Sequence, residues 1–372
     1  MYWVMLVLPA FLIWLTILLL PWRPWSTRES LEANPATGFD PEKLTVLIPA
    51  RNEADVIGHT LSALSQQDIN LKVVVVDDQS TDNTAEIAGK SPLTNLKIVT
   101  GQPLPADWSG KLWALEQGIK QIDSEYILLL DADILLMPGT IPVLLDKLEN
   151  ENRDMVSLMA FLRMEGFWEK LLIPAFIYFF KLLYPFHLSN SENPRVAAAA
   201  GGCILIRRSV LESIGNFNSF KECLIDDCAL AKKIKENNGK TWIGLTHSAI
   251  SFRKYHSLKS IWETVARTAY TQLQHSLLLV LVCSILMIFA FIIPVIGLFS
   301  PVYWIQGTAI ITLLMMFLSF LPTIKYYSLN PLWGCWLWFI GAIYLAMTWT
   351  SVYRHFFTGG TVWKQRQYTT PG

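Results

Sequence analysis

Apolar positions follow two different patterns along the chain. Residues 1–20 run without a charge, about the 20 residues needed to cross a hydrocarbon layer at roughly 1.5 Å each. Three further long apolar stretches, at about 277–299, 302–321 and 332–353, are broken by Ser300-Pro301 and by the segment from Pro322 to Pro331. Between these extremes the runs are short. Residues 44–49, 72–76, 96–99 and 126–130 predict strands, and the β-branched Lys72-Val73-Val74-Val75-Val76 reads as one buried on both faces. Helical spacing separates them: Val56, Ile57, Leu61 and Leu64 after Asn52–Asp55, then 85–89 and 111–121. This alternation predicts an α/β domain with a mostly parallel sheet flanked by helices.

Charge sharpens that division. The 30 acidic and 30 basic residues cancel, and charged residues make up only 16% of the 372, against roughly 25% in an ordinary soluble domain. Every acidic residue lies at or before Glu263; beyond it only Arg267, Lys325, Arg354, Lys364 and Arg366 are charged. Such a tail predicts a membrane domain of about three helices. A hydrophobic content of 52% excludes disorder, and the zero net charge argues against nucleic acid as a partner.

The expected layout is an N-terminal transmembrane anchor (1–22), a catalytic domain (40–275), a C-terminal transmembrane domain (277–353) and a short tail (354–372). An uncleaved anchor is preferred to a signal peptide, because no basic region precedes the apolar run and no small-x-small site follows it. Trp22, Arg23, Trp25 and Arg28 after the run place that end in the cytoplasm by the positive-inside rule. This predicts a multi-pass protein of a bacterial inner membrane with its catalytic domain cytoplasmic. Four spans put the C-terminus outside, whereas Arg354, Lys364 and Arg366 argue for inside, so its side stays open. Residues 167–187, apolar but punctuated by Glu169, Lys170 and Lys181, read as an in-plane amphipathic helix, with a buried core helix as the alternative. The five cysteines form no CxxC pair and suggest neither zinc nor disulfides.

Ligands of such sheets bind at the carboxyl ends of the strands. Two acidic groups sit there: Asp77-Asp78 after one strand, and Asp131-Ala132-Asp133 after another. The first strand ends in Pro49-Ala50-Arg51-Asn52-Glu53 without the glycines of a dinucleotide fold, and no P-loop is found. A pyrophosphate here would therefore be held by metal. Alternation would send Asp131 and Asp133 to one side of an extended segment, one toward a divalent ion and the other toward a sugar hydroxyl. Mg²⁺ or Mn²⁺ suits carboxylate and phosphate oxygens, although D-x-D at a strand end can also simply cap a turn. Paired Gly201-Gly202 permits close approach. Asp226-Asp227 opens a helix, where the pair can be end-capping or can supply a base.

Together these motifs resemble the family 2 glycosyltransferases of the GT-A fold. Val73–Asp82 is similar to their nucleotide-binding strand and turn, Asp131-Ala132-Asp133 to their D-x-D, and Asp226-Asp227 to their E-D pair with Asp in first place. The stretches 104–118, 197–217, 224–234 and 265–273 most resemble hopene-associated glycosyltransferases, relatives of the ceramide glucosyltransferases. Where the wider family has Q-x-x-R-W, this chain has Arg267 to Gln272 without Trp, which weakens a polysaccharide-synthase reading. Residues 363–368 resemble a W-x-G-R-x-Y tail with Gln365 for Gly.

The resemblance implies that Pro49, Arg51, Glu53 and Asp78 bound the nucleoside, that Lys111 approaches the nucleotide and that Asp131 meets the ribose or donor sugar. It implies Asp133 for the metal, Asp227 as general base, Asp226 either orienting that base or shaping the acceptor site, and Arg267 near the acceptor or pyrophosphate. Trp108 can stack on a sugar or lipid, or pack in the core. The histidines His59, His187, His247 and His256 show no ligand spacing and read as structural or surface residues. The implied reaction moves a sugar, with inversion, from a nucleotide diphosphate sugar (a UDP-sugar is favoured) to a membrane lipid, hopanoid-type by resemblance alone. Competing readings are a polyprenyl-phosphate sugar transferase, a polysaccharide synthase and a non-catalytic membrane protein that binds nucleotide sugar or lipid.

Overall fold

The computed structural model describes residues 2–36, 38–255, 257–357, 361–363 and 366–368. His256, Lys364 and Gln365, named above, lie outside them. The chain forms two compact units, one of residues 1–28, 164–185 and 255–372, the other of residues 29–163 and 186–254.

The second unit is built on an eight-stranded sheet. In chain order its strands are β1 (Leu44–Ala50), β2 (Lys72–Asp77), β3 (Leu96–Thr100), β4 (Tyr126–Leu130), β5 (Ile134–Leu136), β6 (Met155–Leu162), β7 (Cys203–Arg207) and β8 (Thr241–Ser251). They lie in the order β3-β2-β1-β4-β7-β6-β8-β5. From β3 to β4 every pair is parallel, as helical crossovers require. Past β4 the sheet is mixed: β7 runs antiparallel to β4 and to β6, β6 pairs parallel with β8, and β5 is antiparallel to β8. The expected mostly parallel sheet therefore describes the first half, and β7 reverses direction beside β4.

Alternating side chains of the central strands feed two apolar layers. Val46, Ile48, Val73, Val75, Leu128 and Leu130 pack on one face against Ile57, Leu61 and Leu64 of the helix Ile57–Ser65. Leu47, Val74, Val76, Ile127 and Leu129 pack on the other against Leu112 and Leu115 of the helix Gly110–Ile119. Gly139 caps the helix Thr140–Asn150 with φ +85°, and a Cβ there would lie 2.4 Å from the Asn34 carbonyl carbon. Gly139→Ala is expected to cost about 1–3 kcal/mol from backbone strain alone, with the contact adding to it, read as a lower melting temperature of the solubilised protein.

The first unit is helical. Among the described residues three of its helices, Leu277–Gly297, Tyr303–Tyr326 and Pro331–Phe357, are long and apolar enough to cross a membrane. The first contains a π-helical turn at Ile288–Ile292, just before Pro294. Proline has no N–H to continue the ladder, and the wider turn absorbs that break. The N-terminal helix Tyr2–Leu19 is shorter and packs among them. Its Val7 and Ala10 meet Ile293, Ile305 and Ala309, and the Trp14 indole N–H donates to the Ala290 carbonyl at 2.8 Å. The helix Phe167–Leu183 belongs to the same unit and buries Leu171, Leu172, Ile173, Ala175, Ile177 and Tyr178. Its Tyr178 hydroxyl bonds Ser319 at 2.8 Å, and Tyr344 donates to the Leu172 carbonyl at 2.9 Å. Residues 361–363 and 366–368 pair as a short antiparallel hairpin.

Candidate active site

Parallel pairing brings the carboxyl ends of β1, β2 and β4 to one edge of the sheet. At β1 and β2, Arg51 donates to the carbonyls of Asp78 (2.6 Å) and Gln79 (3.1 Å). The Glu53 N–H donates to the Thr84 hydroxyl at 2.8 Å, and the Thr81 N–H to the Asn52 side chain at 2.8 Å. Asp78 is buried, and its N–H continues the sheet to the Ala50 carbonyl. Gly101 closes on this corner, where a Cβ would lie 2.9 Å from the Asp77 carbonyl oxygen. These contacts shape the loop after β2 into a rigid rim.

The second cluster joins three elements that are distant in sequence. Lys111, at the start of the helix Gly110–Ile119, places Nζ 2.8 Å from Asp131 Oδ1 and 3.3 Å from Asp226 Oδ2. The Gly201 N–H donates to Asp227 Oδ2 at 2.8 Å, and the Cys228 N–H to Oδ1 at 2.7 Å. A Cβ on Gly201 would stand 3.2 Å from both Asp227 Oδ2 and Lys111 Nζ, so a glycine keeps this junction tight. Pro49 lines the same cleft, which is walled by Leu112, Leu115, Phe217, Phe220 and Leu230.

Burial raises the Asp227 carboxyl to about 6, helped by the neighbouring charge of Asp226 and opposed by Lys111 and the two backbone N–H groups. Burial lowers the Lys111 pKa, but Asp131, Asp226 and Asp227 more than offset it and hold that pKa above the usual lysine range. A basic carboxylate thus sits beside a fixed cation, inside a cleft with apolar walls.

Asp131 and Asp133 do not share a direction. Residues 132–133 form a turn, closed by the Ile134 N–H on the Asp131 carbonyl at 3.1 Å, instead of the extended segment expected from sequence. Asp131 meets Lys111, whereas Asp133 Oδ2 accepts from the Ser251 hydroxyl at 3.0 Å and lies 3.6 Å from Arg253 Nε. The turn separates them because β5 leaves β4 to pair with β8. Among the described residues no group of three or more His, Cys, Asp or Glu side chains forms a metal cage. Asp133 keeps an oxygen outside these contacts, a donor set that fits an ion drawing most of its ligands from diphosphate and water.

Trp108 packs edge-on against Trp113 at 5.1 Å and contributes to the apolar layer under the cleft. Arg267 lies on the helix Leu258–Gln272 of the other unit. Ser251 and Arg253 were not legible as site residues: a serine ending β8 and an arginine two residues on read as an ordinary strand exit.

A model of glycosyl transferase family 2 matches residues 45–215, from β1 to past β7. Over residues 45–215 the chain resembles the family 2 glycosyltransferases. Two 4,4'-diaponeurosporenoate glycosyltransferases from strains of Staphylococcus aureus are 34% identical over 113 residues and 36% identical over 99 residues. These matches cover 30% and 27% of this chain. The chain spans only 29% and 26% of the length of those relatives. The fold of a mannosyltransferase from Pyrobaculum calidifontis, solved with GDP-Man and Mn²⁺, superposes with a TM-score of 0.53 at 19% identity. That likeness covers 94% of this chain and 96% of the other. The sheet unit therefore has the GT-A fold, with the clusters at Arg51–Asp78 and Lys111–Asp227 at its strand ends.

Proposed function

We propose that the protein is a membrane-bound inverting glycosyltransferase that moves a sugar from a nucleotide diphosphate sugar to a lipid hydroxyl. The observation that carries this reading is Asp227, a half-buried carboxylate with its pKa raised to about 6, facing a cleft beside Lys111. Asp227 takes the proton of the acceptor hydroxyl as its oxygen bonds to the anomeric carbon. The bond from that carbon to the diphosphate breaks on the opposite face, which inverts the centre, and the nucleoside diphosphate leaves with the electron pair. Lys111 steadies the growing negative charge. Pro49, Arg51, Glu53 and Asp78 bound the nucleoside, with a UDP-sugar the favoured donor, and Asp131 meets the ribose or sugar. Asp226 orients the base.

A divalent ion, Mg²⁺ or Mn²⁺, would be held by Asp133 and would neutralise the leaving diphosphate. The Mn²⁺ of the Pyrobaculum structure supports this expectation. Chelation with EDTA is expected to abolish nucleoside diphosphate release, and added Mg²⁺ or Mn²⁺ to restore it. Full activity in EDTA would remove the metal.

The lipid acceptor rests on the apolar helices of the first unit and on the Staphylococcus relatives, named for 4,4'-diaponeurosporenoate. A hopanoid-type acceptor rests on sequence resemblance alone. Arg267 and Trp108 are assigned to the acceptor or pyrophosphate, and the domain to the cytoplasmic face of a bacterial inner membrane. One observation favours a second reading: the relatives' substrate name is that of a carboxylate. An acid or phosphate oxygen is already ionised near neutral pH, so such an acceptor needs no base. Release of nucleoside diphosphate with hydroxyl, carboxylate and phosphate lipids, with and without Asp227→Asn, separates the two.

A further inference from the structure

Residues 190–202 lead into β7 without regular structure, yet they deliver Gly201, whose N–H meets Asp227. Backbone groups in such a segment need partners to hold one conformation. One side chain supplies three of them. Lys235, in the last turn of the helix Asp226–Glu236, is 4% exposed and donates from Nζ to the carbonyls of Ser191 (2.9 Å), Asn193 (3.1 Å) and Val196 (2.7 Å). An ammonium has three N–H groups, and all are directed at this loop. A lysine here could serve its own helix by meeting the last carbonyls, but these bonds cross to a different segment. Arg153 adds a bond to the Asn190 carbonyl at 2.9 Å, and the Ser157 hydroxyl accepts from the Ala200 N–H at 2.8 Å. The helix that carries Asp227 at its first turn therefore grips the same loop at its last.

We propose that Lys235 is a positioning residue: by clamping 191–196 it fixes the Gly201 N–H on Asp227 and so sets the orientation and basicity of that carboxylate. The consequence for catalysis rests on Asp227 being the base. Burial, then the charge of Arg153, lowers the Lys235 pKa to about 8, so the ammonium is retained at neutral pH.

Full-length protein in detergent tests this with Lys235→Met and wild type, by amide hydrogen exchange and by the pH profile of nucleoside diphosphate release. Lys235→Met is expected to speed exchange across 191–201 and to lower kcat roughly tenfold to a hundredfold through a misplaced base, with the donor KM unchanged. The acid limb of the profile should move to higher pH, because losing the Gly201 N–H removes a bond that favours the ionised carboxylate. Lys235→Arg should restore part of kcat. If Lys235→Met does not fold, Lys235→Gln is read in the same way. Unchanged exchange at 191–201 overturns the clamp, whatever the role of Asp227. Faster exchange with an unmoved acid limb overturns the link to the base. If Asp227→Asn remains active, the base reading fails while exchange still decides the clamp.

Discussion

Asp227→Asn is expected to lower kcat/KM for a hydroxyl acceptor by about a thousandfold, within the range that a positioned base contributes. The substitution is nearly isosteric, and the amide oxygen can still accept from Gly201 or Cys228, which now bond the two carboxylate oxygens. Folding and donor binding should therefore survive, so that the loss falls on transfer. The pH profile supplies an independent check. Only the ionised carboxylate accepts a proton, so activity should fall as pH drops through about 6, the value to which burial and Asp226 raise this group. At neutral pH the base is ionised but close enough to its pKa to be effective. A carboxylate or phosphate acceptor reverses the expectation: Asp227→Asn would then be mild, and the limb near pH 6 would fade. Kinetics of nucleoside diphosphate release from pH 5 to 8 read both outcomes. A loss of less than about tenfold with every acceptor would reject Asp227 as base.

The parts of this site that were legible in the sequence are those with a local signature. Tyr126–Leu130 and the valine run of β2 announced themselves because a strand buried on both faces must be apolar throughout. The acidic residues that follow them were readable as ligands because chain direction puts parallel strand ends on one edge. The far half of the sheet was not readable. β8 carries Thr246, His247 and Ser248 in its middle, which masks the strand, and Glu32 holds that stretch through the His247 N–H (2.9 Å) and the Ser248 hydroxyl (2.9 Å). No local rule pairs residue 32 with 247. The D-x-D geometry failed for a related reason: alternation holds only while the chain stays extended, and pairing of β5 with β8 turned it. Lys235 was hidden differently. In Lys232-Lys233-Ile234-Lys235 it reads as one of several solvated charges, and only the fold shows which lysine is turned inward.

Lys111→Ala is the second large effect expected, a fall in kcat/KM of roughly a hundredfold or more from loss of a preorganised charge at the leaving group. Lys111 does two things that can be measured apart. Its Nζ bridges Asp131 and Asp226, so its removal leaves Asp131, Asp226 and Asp227 without their shared cation. Its charge also lowers the pKa of Asp227, against burial and Asp226. The sign follows: without Lys111 the Asp227 pKa rises further, and the acid limb should move above pH 6. A loss of rate with the limb in place would mean that Lys111 touches only the donor. Lys111→Arg should not rescue, although it restores the charge. A Cβ placed on Gly201 would already be 3.2 Å from Nζ, which leaves little room for a planar guanidinium. Wild-type rates in Lys111→Arg would show instead that the cleft opens on binding its substrates. Comparing Lys111→Ala and Lys111→Arg at saturating donor therefore separates the cation's charge from its shape, which the profile of Asp227→Asn alone cannot do.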